Sequence, residues 1–236
     1  MTAATPLPQA RIVLCDTLEP GNIGAVARAM KTMGLADLRL VRPQQYPHGS
    51  ANRLAVSAGD VLERAQVEPE LATAIAGCAA VYGVSARQRR IPLRRLWPRE
   101  AAREVLAVAG DVALVFGGEE AGLSNEDLSL CGARIEIPSD PACRSLNLAA
   151  AVQLVCYELR LAALDARRPA TVEYAPTAAF DEMLGALDET LQQAGWYANK
   201  NRALALEKLR GLLQRARPDR GEVQLLRGAI ERLRRP

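Results

Sequence analysis

Histidine is almost missing from this 236-residue chain, which has a single copy at His48. Neither an imidazole-built metal site nor a Ser-His-Asp triad is expected from such a composition. Aromatics make up only 4% of residues, so a core drawn from the 49% hydrophobic content must rest on Ala, Leu and Val. The five cysteines, Cys15, Cys78, Cys131, Cys143 and Cys156, are odd in number and include no CxxC pair. That usage points to reduced, mostly buried thiols of a cytoplasmic protein rather than to a disulfide framework. No apolar run approaches the roughly 20 residues that a membrane span needs. The opening MTAATPLPQA has no basic stretch leading into an apolar one, so no signal peptide is expected.

What is present is unevenly distributed. The net charge of +3 conceals a basic tail: from Lys200 onward there are 11 Lys/Arg against 4 Asp/Glu, while the preceding part is mildly acidic. A basic tail suits a polyanionic partner such as nucleic acid, and a merely solvated helix face would account for it equally well. From residue 11 to about 164, short apolar runs at 11–17, 37–41, 79–84, 112–116 and 134–137 alternate with helical patterns. Those patterns lie at 23–33, 68–76, 99–109, 125–130 and 146–164, an order that predicts an α/β domain with a parallel sheet covered on both faces. In such sheets ligands gather at the carboxyl ends of the strands. The stretch 165–178, DARRPATVEYAPTA, reads as a linker, and helical patterns follow at 180–193, 203–215 and 221–234. The expected division is therefore 1–164, a linker at 165–178, and a small helical unit at 179–236. A unit of that size needs support from the first domain, a partner subunit or a ligand.

Four corners carry the chemistry. GNIGAVARAMKTMGL at 21–35 follows a strand and offers helix N-terminal amides together with Asn22 and Arg28. LVFGGEEAGLSNEDL at 114–128 places Gly117 and Gly118 at a strand end, where a backbone without Cβ atoms can approach a flat ligand or simply close a turn. VYGVSAR at 81–87 ends another strand. IPSDPACRSLNLAAAVQLVCYEL at 137–159 runs through a proline-containing loop into a helix for which Ser145 is the expected N-cap. That helix is apolar nearly all round, which suits close packing against another helix, including one across a dimer interface.

Taken together, these corners resemble the three ordered signatures of the 2′-O-methyltransferase branch of the SPOUT superfamily, S-adenosylmethionine-dependent RNA methyltransferases. The basic tail, NKNRALALEKLRGLLQRARPDRGEVQLLRGAIERL, is similar to that of a bacterial subgroup acting on the ribose of cytidine or uridine at position 32 of the tRNA anticodon loop. The resemblance implies an α/β domain with a C-terminal trefoil knot, a homodimer whose active sites are shared between subunits, and S-adenosylmethionine as cofactor. Carried over by position, the cofactor loops are Val84, Ser85 and Ala86; Gly117, Gly118 and Glu119; Ile137; and Arg144, Ser145 and Leu146, with Asn147 bracing the last. Arg28 matches the catalytic arginine, and Asn22 and Ser145 share its site. Lys200, Arg202, Lys208, Arg210, Arg215 and Arg217 become candidate contacts to tRNA phosphates. Relatives often carry a tyrosine before Ser-Leu-Asn, where this chain reads Pro141-Ala142-Cys143-Arg144, so the roles of Cys143 and Arg144 stay open. The competing functions are ribose methylation at another tRNA position or on ribosomal RNA, methylation of guanine N1 on the same fold, and a non-catalytic RNA-binding scaffold.

Overall fold

The computed structural model describes residues 10–87, 91–165 and 174–234. Seven strands form one sheet: β1 (Ala10–Cys15), β2 (Asp37–Val41), β3 (Gln66–Glu68), β4 (Ala80–Val84), β5 (Arg94–Leu96), β6 (Val112–Phe116) and β7 (Ala133–Ile135). Their spatial order is β3-β2-β1-β6-β4-β7-β5, and every adjacent pair runs parallel. The middle strands earn their place by composition. VALVF of β6 is buried at every position, and Ile12, Val13 and Leu14 of β1 are equally enclosed. A parallel sheet buried on both faces calls for such continuous apolar runs.

Helices α1 (Pro20–Met33), α2 (Gly49–Ala55), α3 (Gly59–Arg64), α4 (Leu71–Ala74), α5 (Pro98–Ala107), α6 (Asn125–Ser129) and α7 (Leu148–Asp165) cover the sheet. One apolar cluster joins β1, β2 and β6 to α1, α5 and α7 through residues such as Ile12, Ile23, Met30, Val105 and Val155. A second, around Val13, Leu71, Val115 and Leu128, fills the opposite face. Cys15, Cys78, Cys131 and Cys156 are buried and Cys143 is exposed. Burial pushes the Cys78 and Cys156 thiols up to about 11 and about 12, so they act as packing groups.

Several boundaries differ from the sequence reading for identifiable reasons. The first strand stops at Cys15 because Asp16 turns into the left-handed region at φ 53°. Helix α1 begins three residues early, at Pro20, whose fixed φ suits a first helical turn. It ends where Gly34, at φ 87°, donates its N–H to the carbonyls of Lys31 and Met30. The expected helix at 68–76 proves to be the end of β3 followed by the single turn α4. β5, α2 and α3 were not anticipated: β5 is three residues, Arg-Arg-Leu, of which only Leu96 is buried.

Beyond the sheet lie α8 (Thr177–Gln193), α9 (Arg202–Ala216) and α10 (Arg220–Arg234). Phe180, Met183, Leu184, Val223 and Ile230 give α8 and α10 a small core of their own. This unit also docks on the α/β domain. Thr177 N–H donates to the Cys78 carbonyl at 2.8 Å, and Arg217 pairs with Glu104 of α5 at 2.7 Å. Residues 166–173 of the expected linker lie outside the described residues, and its last two positions belong to α8. No helix among the described residues is long and apolar enough to cross a membrane.

The tightest helix contact is at Gly24, where an added Cβ would lie 2.0 Å from the Ala51 carbonyl oxygen of α2. Gly24→Ala must push α1 from α2, with an expected loss of about 2–3 kcal/mol, in the range of overpacked cores. Thermal or urea unfolding measures it, and an unchanged midpoint would contradict this packing.

Candidate active site

The loops leaving β1, β4, β6 and β7 converge at the carboxyl edge of the sheet, as parallel strands require. Among them lies a cleft of about 570 Å³, a volume suited to a small-molecule ligand. Val84, Ser85 and Ala86 approach it from β4, Gly117, Gly118 and Glu119 from β6, and Ile137, Arg144, Ser145 and Leu146 from the β7–α7 connection. Of the eleven expected cofactor residues, these ten line one space, and Asn147 stands outside its lining. The sequence reading missed Phe116, Leu148 and Ala151, which complete its apolar wall, and Arg87, Glu120 and Gly122, which add to its rim. Arg87 was visible in VYGVSAR but had no assigned partner. Its guanidinium donates to the carbonyls of Glu120 at 2.8 Å and Ala121 at 3.1 Å, tying two of the loops together.

Three motifs distant in sequence meet through one carboxylate. Glu119 Oε2 accepts from the Leu18 N–H at 3.0 Å, and Oε1 accepts from the Asn22 side-chain amide at 2.6 Å. Asn22 Oδ1 in turn accepts from Asn147 Nδ2 at 3.2 Å. Asn147 Oδ1 then receives the Ala149 N–H at 2.9 Å, which caps α7. Asn147 is thus the N-cap that had been expected at Ser145, and α7 starts at Leu148 rather than two residues earlier. Ser145 stands exposed in the preceding loop, with no hydrogen-bond partner among the described residues. Burial opposes ionisation of Glu119, but the donors from Leu18 and Asn22 outweigh it and hold the carboxyl below its usual range.

The paired glycines have a reason internal to the chain. A Cβ on Gly117 would fall 2.1 Å from the Gly122 carbonyl carbon, and one on Gly118 would fall 2.3 Å from the Asp16 carbonyl oxygen. Their bareness lets the 117–122 turn fold on itself and lie against the end of β1. Behind that contact, Arg42 donates to both carboxylate oxygens of Asp16 at 2.8 and 2.9 Å and stands 3.5 Å from Asp127. Asp16 and Arg42 both have left-handed backbones, at φ 53° and 49°. Such strain persists where surrounding contacts over-determine it.

Arg28 lies on the exposed side of α1 and makes no hydrogen bond or ion pair with the described residues. It does not line the cleft of its own chain. The expected phosphate contacts divide into two groups. Lys200, Arg202, Lys208 and Arg215 are exposed, although Arg202 pairs with Asp188 at 2.6 Å and Arg215 donates to the Pro92 carbonyl at 3.3 Å. Arg210 is partly enclosed and fastens α9 to Asp181 of α8. Arg217 must be removed from the set. Its side chain is 19% exposed, bound to Glu104, and stacked 4.3 Å from the Tyr174 ring centroid, so it serves the joint between the two units.

The chain belongs to the SpoU rRNA methylase family, whose model matches residues 9–157. It is accordingly an S-adenosylmethionine-dependent methyltransferase. Residues 178–236 match a second model, the C-terminal domain of the tRNA methyltransferase TrmJ. The chain is 44% identical over 239 residues to the tRNA (cytidine/uridine/adenosine-2′-O-)-methyltransferase TrmJ of Pseudomonas aeruginosa, covering 95% of this chain and 93% of that one. It is 42% identical to the tRNA (cytidine/uridine-2′-O-)-methyltransferase TrmJ of Salmonella choleraesuis, with 95% and 96% covered. The crystal structure of TrmJ from Z. mobilis superposes with a TM-score of 0.84 at 35% identity, covering 95% of this chain and 98% of that one.

The cleft fits the family's cofactor in kind. Phe116, Ile137, Leu148 and Ala151 would offer an apolar wall to a nucleoside, and Glu119 and Glu120 would offer negative charge to a cationic sulfonium. Glu119→Gln keeps the shape but removes one acceptor, leaving Leu18 N–H or Asn22 without its partner. The expected cost is about 1–3 kcal/mol of stability, with weaker cofactor binding by calorimetry. A carboxyl held below its usual range stabilises the fold above that range and stops doing so as pH falls through its folded value. The Gln variant should therefore lose part of the acid-side fall in stability, and an identical pH profile would refute the coupling.

Proposed function

We propose that this enzyme methylates the ribose 2′-hydroxyl of cytidine or uridine at position 32 of the tRNA anticodon loop. The reading is carried by one conjunction: a cleft knit from three signature loops by Glu119, Asn22 and Asn147, on a chain whose remainder matches the TrmJ C-terminal domain. In this reading residues 1–164 hold the chemistry, with the trefoil knot formed by the segment leading into α7. Residues 179–236 hold the RNA.

Bound S-adenosylmethionine supplies an electrophilic methyl group. The protein must then align a ribose hydroxyl with it and favour loss of that hydroxyl's proton. Val84–Ala86, Gly117–Glu119, Ile137 and Arg144–Leu146 hold the cofactor, and Asn147 keeps the last of these loops attached to the first. Arg28 acts on the substrate. A guanidinium carries donors only, so it serves as an electrostatic group that anchors a neighbouring phosphate and steadies the developing alkoxide. Ser145, without a hydrogen-bond partner among the described residues, is available to the hydroxyl proton.

An Arg28 that is exposed and outside the lining of its own cleft favours a second subunit. The surface beside it suits one. Helix α1 packs on α7, whose outer side presents Leu154, Tyr157 and Leu164 to solvent. We assign this face to a homodimer in which Arg28 of each chain completes the other's site. Lys200, Arg202, Lys208 and Arg215 then bind phosphates; the exposed Arg202–Asp188 pair costs little to exchange. A reaction at ribose hardly senses the base, which accords with the adenosine in the Pseudomonas relative's name.

Incubating unmodified tRNA transcripts with labelled S-adenosylmethionine and mapping the 2′-O-methyl nucleotide by mass spectrometry tests the assignment. Label at nucleotide 32 is expected; label elsewhere removes the position, and no transfer to any RNA removes the reading. Arg28→Lys should lower kcat by about 100-fold or more while retaining cofactor affinity, since a point charge cannot replace a planar fork. Replacing Lys200 and Lys208 together by Ala should weaken tRNA binding and reduce the slope of log K against log salt by about 1–2. An unchanged slope would free the tail from this role.

A further inference from the structure

Both tryptophans of this aromatic-poor chain are exposed, Trp97 at 45% and Trp196 at 38%, and each has a cation by its ring. The two differ in how closely that cation sits. Lys200 Nζ lies 3.6 Å from the Trp196 centroid, whereas the Arg95 guanidinium stands 5.7 Å from that of Trp97. Trp196 is already occupied by its own cation; Trp97 is far less closely covered.

Trp97 is also placed where the chemistry is. It follows β5 directly, at the carboxyl edge of the sheet. β5 pairs with β7 in the register Leu96↔Ile135, and Glu136 N–H donates to the Leu96 carbonyl at 2.9 Å. The next residue along, Ile137, lines the cleft. The backbone of Trp97 therefore starts about one strand spacing from the β7–α7 connection that carries Ile137. Its backbone is held on both sides: the Trp97 N–H donates to Glu100 at 2.8 Å, and its carbonyl accepts the Ala101 N–H at 2.9 Å. A fixed backbone presents the ring without further ordering.

Arg95 places a positive charge beside the ring. Arg95 is 55% exposed and its pairing with Glu136 is loose, at 3.9 Å, because that carboxylate is engaged by Arg134 at 2.8 Å. A π-face beside an available guanidinium is the pairing that single-stranded nucleic acid uses, with the base on the ring and the phosphate on the cation.

We propose that Trp97 is a stacking platform for an unpaired nucleobase next to the target nucleotide, with Arg95 holding that nucleotide's phosphate. This rests on the RNA substrate proposed above and adds a recognition element outside the cofactor loops and the basic tail. Stacking accepts any base, so Trp97 contributes affinity and register, not sequence choice.

Trp196→Phe leaves Trp97 as the only indole, and its fluorescence can be followed while unmodified tRNA transcript is added. Saturating tRNA should quench it strongly. Trp97→Ala should raise KM for tRNA about 10-fold, the effect of one lost base stack, with kcat within about twofold. Trp97→Phe should restore most of that loss, and the cofactor Kd should stay constant in both. Arg95→Gln, at an exposed edge position, should raise KM independently and so serves if Trp97→Ala folds poorly. Emission indifferent to tRNA that demonstrably binds by filter retention would overturn the platform and leave the methyltransferase reading standing. Emission that changes with protein concentration in the absence of RNA would assign the indole to a subunit contact and likewise overturn it. Failure of the unaltered protein to bind or methylate tRNA would remove the reading on which the platform rests.

Discussion

The carboxylate of Glu119 is the point on which this site depends. One oxygen fixes the backbone at Leu18, and the other fixes Asn22, which holds Asn147 at the head of α7. Those residues come from loops separated by about a hundred positions, and a charged, two-sided acceptor of this length joins them. The geometry beneath it is equally specific. Gly117 and Gly118 have no room for a Cβ, and the loop bearing Glu119 can reach the β1 corner only because they lack one. Hydrogen bonds to an ionised group are stronger than neutral ones, and partial burial spares them from competition with water.

The second constraint is size. The three C-terminal helices share a core of a few side chains and need the α/β domain for support. Glu104 provides it by accepting two arginines at once. Arg94 binds both of its oxygens at 2.6 Å, and Arg217 shares one of them at 2.7 Å. Tyr174 and Tyr82 line the same joint, with the Tyr82 hydroxyl buried and unpaired. The basic tail therefore has two kinds of arginine, those that fasten the unit and those left to face solvent. Charge counting cannot separate them.

Much of the scaffold was legible because it is written in long patterns. The run at 112–116 is apolar throughout, that at 37–41 carries Leu38, Leu40 and Val41, and the helices that follow have clear periodicity, so a parallel α/β sheet could be read directly. The cleft residues were legible through the order of the signature loops, and they do line one space. Short elements escaped, because three residues such as Arg94–Leu96 carry no period and owe their conformation to the neighbouring strand. Sequence alone favours Ser145 as the cap because serine caps helices well. Asn147 displaced it through a partner, Asn22, that lies 125 positions earlier. Arg217 was assigned to RNA for its charge, and its partner Glu104 is equally remote in sequence. Contacts of that kind are set by the fold, and local sequence does not encode them.

The loop from Ser139 to Leu146 is exposed from Pro141 onward and is tied mainly by its own Asp140, whose side chain accepts the Ala142 N–H at 2.7 Å. It is also the loop that contributes Arg144, Ser145 and Leu146 to the cleft. A wall with so few internal ties leaves ordering to be completed when a ligand arrives, and that entropy subtracts from affinity. The two sides of the cleft thus differ in how they are held, one anchored across the fold through Glu119 and the other fastened chiefly within its own loop.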